Sequence, residues 1–234
     1  MSGRLATVLT VLLVGASGPA LLVLARRTGR RRATYQALAL ALAVVVWAMA
    51  RLMPGPGRPV ALLGDLAAPV HGLGWMGVSD GDSWGTLLLT TGSIIVAVTG
   101  VTLWLQVGRR AGLAGRSLIA VLPAAVALSL LNATSEELIF RAALLQGVSP
   151  AVLGVGSLAL VSGLLFGLPH YGGHPGGPVG VALAGFLGWL ACTATLQTGG
   201  LAWAWTLHVV LDVVILTIVL AAERVQPEPE QVSG

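Results

Sequence analysis

Residues 118–146 read LIAVLPAAVALSLLNATSEELIFRAALLQ. The first half, Leu118 to Leu131, is apolar enough to lie in a bilayer, and Glu136, Glu137 and Arg141 follow directly within the same run. An ionisable side chain at membrane depth costs at least ~2.5 kcal/mol on insertion scales, so such residues pair, face protein or water, and mark function by default. Two further apolar segments carry His170, and His208 with Asp212. Polar groups from separate helices are therefore expected to meet in one place.

Composition sets the solvent. Hydrophobic residues make up 56% of the chain and charged ones 9%, and the mean hydropathy is +0.89. That exceeds what a soluble domain keeps in water, so the expected fold is all-α, a polytopic transmembrane helix bundle with membrane lipid as its surroundings. The net charge of +4 comes from 13 arginines with no lysine, a bias of GC-rich codon usage that points to a bacterial cytoplasmic membrane. The arginines cluster at segment ends and form no basic stripe with interleaved aromatics, so no nucleic-acid partner is expected. Cys192 is the sole cysteine. It allows neither an intrachain disulfide nor a cysteine metal site.

A helix needs roughly 20 apolar residues to cross the hydrocarbon core. Seven stretches qualify: Leu5 to Ala25, Ala33 to Met53, Trp84 to Val107, Ser117 to about Gln146, Ala151 to His170, Val179 to Gln197, and Leu201 to Ala222. The first is too long for a signal-peptide core, lacks a small-residue cleavage pattern, and is expected to be retained. Arg26, Arg27, Arg30, Arg31 and Arg32 follow the first span, and Arg109, Arg110 and Arg116 the third. By the positive-inside rule both loops are cytoplasmic, which puts the N-terminus outside and the C-terminus inside. The loop from Pro54 to Ser83 carries Asp65, Asp80 and Asp82 and is expected to fold onto the membrane surface near Trp75. The organisation read from this is an N-terminal membrane part with its extracytoplasmic loop (1–116), a helical core that carries the buried charges (117–222), and a Pro- and Glu-bearing disordered tail (223–234).

Within the core the strongest pattern is E-E-x-x-x-R. If helical, Glu137 and Arg141 lie four apart with the acid first, the favourable order for a pair on one face, which leaves Glu136 without a local partner. A desolvated, unpaired carboxylate suits general-base work. The competing reading is a capping box from Thr134 to Glu137, in which the acids only start a helix at the interface. The second pattern, Phe166 to His170, ends the fifth span ahead of a glycine-rich loop. The third, His208 with Asp212, places both residues on one helix face. His71 and His174 read as solvent-exposed.

In that order, E-E-x-x-x-R, F-x-x-x-H and H-x-x-x-D resemble the signature of the CPBP family of intramembrane proteases, also called the Abi family, which includes the CAAX prenyl endopeptidases. The resemblance spans about Leu118 to Ala222. It implies that Glu136 with His170 activates a water against a peptide carbonyl and that His208 and residue 212 support the oxyanion. Glu137, Arg141 and Phe166 would then brace the site, and the substrate would be a membrane-associated protein or peptide. Many members carry Asn where this chain has Asp212, and an ionised Asp cannot donate to an oxyanion. Its expected roles are orienting His208 or binding metal.

No cofactor is favoured; the alternative is zinc held by Glu136, His170, His208 and Asp212, two imidazoles and two carboxylates. A non-catalytic scaffold or immunity protein of the same family is the second function class, and a transporter the third, weakened by the absence of an internal repeat. Depth poses a difficulty for all of these. With a fifth helix starting at Ala151, His170 lies at its far end while His208 is only ~10 Å from the start of the seventh, at 1.5 Å per residue. The groups meet only if the fifth helix begins outside the bilayer or the Gly-Pro loop after His170 dips into it.

Overall fold

The computed structural model describes residues 3–29, 31–53 and 57–225. Seven helices are long and apolar enough to cross a membrane: α1 (Gly3–Thr28), α2 (Arg32–Leu52), α3 (Trp84–Ala111), α4 (Ser117–Gly147), α5 (Val155–Gly172), α6 (Gly177–Thr198) and α7 (Ala202–Val225). Among the described residues there is no strand, and two isolated bridges, Ala61 with Gly200 and Pro69 with Ser83, fasten loops. The chain is an all-α polytopic bundle. Glu223 to Val225 continue α7, and the rest of the expected tail lies outside the described residues.

The helix carrying the acids is continuous from Gly115 to Glu137. Thr134 and Ser135 donate their hydroxyls to the carbonyls of Leu130 and Leu131, at 2.7 and 2.9 Å, as mid-helix hydroxyls do. The capping-box reading fails for that reason: Thr134 lies deep inside a helix, with no free N-terminus to cap. Directly after Glu137 the backbone widens into a π-helical turn over Leu138–Ala143. Such a turn inserts a residue and re-aims the side chains around it, and it recurs at functional sites.

One feature that bears on the relative depth of His170 and His208 lies at the start of the fifth span. Pro150–Leu153 form a separate turn, broken from α5 by Gly154, whose φ of 78° only glycine adopts freely. With α5 beginning at Val155 rather than Ala151, the helix is ~6 Å shorter above His170 at 1.5 Å per residue. The loop beyond His170 also turns inward, with Pro175 buried. Its Gly176 N–H donates to Gln106 Oε1 of α3 at 3.2 Å.

Lipid offers no hydrophobic drive between helices, so close backbone approach at small residues must supply the packing. A methyl group on Gly163 of α5 would lie 2.7 Å from the Gly185 carbonyl of α6, and one on Gly188 would lie 2.9 Å from Phe166 Cβ. That contact seats Phe166 and His170 against α6. α4 packs along α7, α2 lies against α4, and α1 packs on α2, on the end of α4 and on α5. At the other end, the loop after α2 is pinned to the α6–α7 turn: Asp65 N–H donates to Thr198 O at 2.8 Å, and Ala61 N–H to Gly199 O at 3.0 Å. From this loop Trp75 reaches the α6 aromatics, 6.3 Å from Phe186 and 5.8 Å from Trp189 between ring centroids.

The α5–α6 contact yields a test. Gly163→Ala should lower thermal stability in detergent by an amount equivalent to about 1–3 kcal/mol, the usual cost of overpacking. Gly156→Ala, where an added methyl meets nothing within 4 Å, should leave it unchanged or slightly raised. Equal melting temperatures for the two variants would mean that the helices are not held by close backbone contact.

Candidate active site

Each charged group of the core is placed by the helix that carries it. Glu136 and Glu137 sit side by side before the π-turn, Arg141 lies within it, and all three are buried. Glu137 faces inward between two partners, with its Oε1 3.0 Å from Arg141 Nη1 and 2.8 Å from His208 Nδ1. Arg141 is fully buried, and its guanidinium lies 4.4 Å over the Phe166 ring. None of its nitrogens makes a well-formed hydrogen bond among the described residues. The Glu137 charge and the Phe166 π-face are therefore what offset its burial.

Phe166 is the hub of the polar cluster. Its ring meets His170 at 4.8 Å, His208 edge-on at 5.5 Å and Phe140 edge-on at 5.3 Å. The two histidines are thus held on either side of one ring, and each has its Nδ1 committed. His170 Nδ1 lies 2.7 Å from the Phe166 carbonyl. A carbonyl only accepts, so Nδ1 carries the proton and the Nε2 lone pair is left available. His208 gives Nδ1 to Glu137, and its Nε2 faces Glu136 Oε2 at 3.5 Å and Asp212 Oδ2 at 3.7 Å.

Orientation of His208 was expected from Asp212, yet the nearer carboxylate is Glu137. The reason is packing: α4 lies against α7, and a carboxylate arriving from the facing helix reaches Nδ1, while Asp212, four residues along the same helix, reaches only toward Nε2. Asp212 is held instead by Asn132, whose Nδ2 donates to Asp212 Oδ2 at 3.0 Å and to Glu136 Oε1 at 3.3 Å. Gln36 of α2 donates in turn to Asn132 Oδ1 at 3.2 Å. Neither amide was singled out in the sequence. Asn132 lies four residues before Glu136 in an otherwise apolar stretch, and Gln36 is the one amide in its span; those were the available signals.

Glu136, His170 and Asp212 all line one cavity of 260 Å³, whose other wall is made by Tyr35 and Gln36 of α2 and whose mouth is formed by Gly29 and Arg32. It opens at the arginine-rich end of the bundle. Arg32 pairs there with Glu223, tying the start of α2 to the end of α7. His174 is exposed as expected but also lines the cavity. Partial burial, reinforced by the Arg32 charge and opposed by Glu223, holds its pKa below the usual imidazole value. His71 is exposed at the opposite end. Among the described residues, no group of three or more His, Cys, Asp or Glu side chains is arranged as a metal site.

Comparison with known proteins places this core. Residues 118–214 match the family described as Type II CAAX prenyl endopeptidase Rce1-like, in agreement with the three-motif resemblance. No curated protein and no solved structure matches the chain. The matched segment contains every charged group of the cluster from Glu136 to Asp212, and stops short of Glu223.

Glu137→Gln should destabilise the protein by ~3 kcal/mol or more, because it strips the counter-charge from a buried guanidinium. Thermal unfolding in detergent reads this directly. Adding Arg141→Met to the same chain should recover much of the loss, since no unpaired charge then remains buried. If the single variant melts with the wild type, the Arg141–Glu137 pair contributes nothing to the fold.

Proposed function

Because residues 118–214 form an Rce1-like CAAX protease core, we propose that the protein is an intramembrane endopeptidase in which Glu136 and His170 activate a water against a peptide carbonyl. The observation that carries this is that Glu136, His170 and Asp212 line one cavity open to the arginine-rich end, while His208 stands directly behind the two carboxylates, its Nε2 3.5 Å from Glu136 and 3.7 Å from Asp212. A purely structural cluster would have no use for that opening.

The chemistry follows from which lone pairs remain free. Glu136 has its Oε1 held by Asn132, which fixes the carboxylate while Oε2 stays available as a base. A water between Glu136 and the His170 Nε2 gives up a proton as its oxygen attacks the carbonyl carbon. The developing oxyanion is stabilised by a donor from His208, whose ring Glu137 orients through Nδ1. The C–N bond then breaks as the proton passes to the leaving amine. Asp212 accepts from Asn132 and lies beside His208 Nε2, so it holds the donor set in register.

The arginines at the ends of α1 and α3 put the cavity mouth on the cytoplasmic side by the positive-inside rule, with the N-terminus outside. Substrates are membrane-associated proteins or peptides whose scissile bond enters from that face. Zinc would be held, if at all, by Glu136, His170, His208 and Asp212. The chain's own acid, base and donor groups suffice for a metal-free reaction, which we favour for that reason.

Glu136→Gln should abolish cleavage while the protein remains folded, because it removes the base and nearly preserves its shape. Activity within a few-fold of wild type would sink Glu136 as the base, whereas a wild type that cleaves no membrane-associated substrate would leave a non-catalytic family member. Asp212→Asn should keep substantial activity, since the amide oxygen still accepts from Asn132 and the amide nitrogen can donate. In a zinc enzyme the same change would cost metal affinity. Stoichiometric zinc in purified active protein, with activity that follows its removal and return, would overturn the metal-free mechanism.

A further inference from the structure

Resting on the endopeptidase reading, we propose that Tyr35 of α2 is a further catalytic residue, whose phenol donates a hydrogen bond to the oxyanion. The argument begins with a missing donor. Asp212, when ionised, only accepts hydrogen bonds. His208 alone would face the developing charge, and a second donor must come from the cavity wall.

The candidates can be taken in turn. Asn132 has its amide hydrogens directed at Glu136 and Asp212. His170 has Nδ1 committed to Phe166 O. Arg141 is fully buried and closed off from the cavity behind Phe166, and Arg32 is paired with Glu223 at the mouth. Tyr35 remains. It lines the same cavity as Glu136, His170 and Asp212, and the charges that act on its phenol are those of Glu136 and Asp212. Its hydroxyl makes no hydrogen bond among the described residues, and the ring is only half-buried, so the O–H is free to turn to a substrate oxygen.

Its position is fixed rather than incidental. The next residue, Gln36, is buried and bonded to Asn132, which sets the rotation of α2 against α4 and aims the neighbouring phenol along the cavity wall. A phenol suits the place, because it adds a donor without adding a full charge beside two carboxylates. α2 lies outside the segment matched by the family, residues 118–214, so the donor comes from the N-terminal helices that wall the cavity.

The test uses purified full-length protein, a fluorogenic peptide bearing a prenylated cysteine, and a phosphinate analogue of that peptide as a mimic of the tetrahedral oxyanion. Tyr35→Phe should lower kcat on the order of 100-fold, the usual loss for one oxyanion donor, with KM and melting temperature unchanged. It should weaken phosphinate binding by a similar factor and leave affinity for the parent peptide alone. In the Tyr35→Phe background, Asp212→Asn should recover part of both losses, because the new amide restores a donor; a residue that merely packs would show no such rescue. Phosphinate affinity within two-fold of wild type, or a loss that Asp212→Asn leaves untouched, overturns the assignment. Should the wild type leave the peptide uncut, the endopeptidase reading itself has failed; should the wild type cleave it while Tyr35→Phe matches wild type, only the role of Tyr35 has.

Discussion

The site depends on one buried carboxylate. Glu137 bridges a guanidinium of its own helix and an imidazole of another, with Oε1 3.0 Å from Arg141 and 2.8 Å from His208. An isolated charge at this depth would be expelled or neutralised, so the three groups specify each other's place. Because Arg141 is four residues after Glu137 and His208 is on α7, satisfying this one carboxylate fixes the rotation of α4 and the depth of α7 together. Phe166 extends the constraint to α5, since the same ring that covers Arg141 also flanks both histidines.

This division of labour explains why two adjacent acids have different environments. Successive residues on a helix point ~100° apart, so when Glu137 turns to the Arg141–His208 interior, Glu136 turns to the cavity. The π-turn beginning at Leu138 then brings Arg141 back beneath Glu137 and lets the rest of α4 resume ordinary helical packing. One acid is spent on the interior pair and the other lines the cavity. A single carboxylate in their place would have to do both, and its charge could not be committed to Arg141 and available to a water at once.

Much of the architecture was legible in the chain itself because hydropathy is a local property. All seven spans appear where uninterrupted apolar runs of sufficient length occur, and the E-E-x-x-x-R, F-x-x-x-H and H-x-x-x-D residues are drawn to one another. Helix interruptions were harder to see. Ala151 and Val152 are as apolar as the residues that follow, and only Gly154 with its positive φ separates their turn from α5. The partners of polar groups were harder still. Spacing shows that His208 and Asp212 share a face, but not that Glu137 from across the bundle reaches Nδ1 first, because that depends on how two helices are rotated about their axes. Asn132 and Gln36 escaped for the same reason: each is unremarkable alone and acquires meaning only when α2 meets α4.

That meeting also bears on where the functional unit ends. The family match starts at residue 118, yet the cavity that Glu136 faces is walled by Tyr35 and Gln36 and mouthed by Gly29 and Arg32. Without α1 and α2, Asn132 would lose its Gln36 partner, and Glu136 would face lipid rather than a polar cleft. A carboxylate beside hydrocarbon protonates or withdraws, and either outcome removes it as a base. The segment from 118 to 214 therefore carries the charged cluster, while α1 and α2 supply the wall and mouth of the cavity that Glu136 lines. The Arg32–Glu223 contact closes that arrangement, joining the first residue of α2 to the last turns of α7.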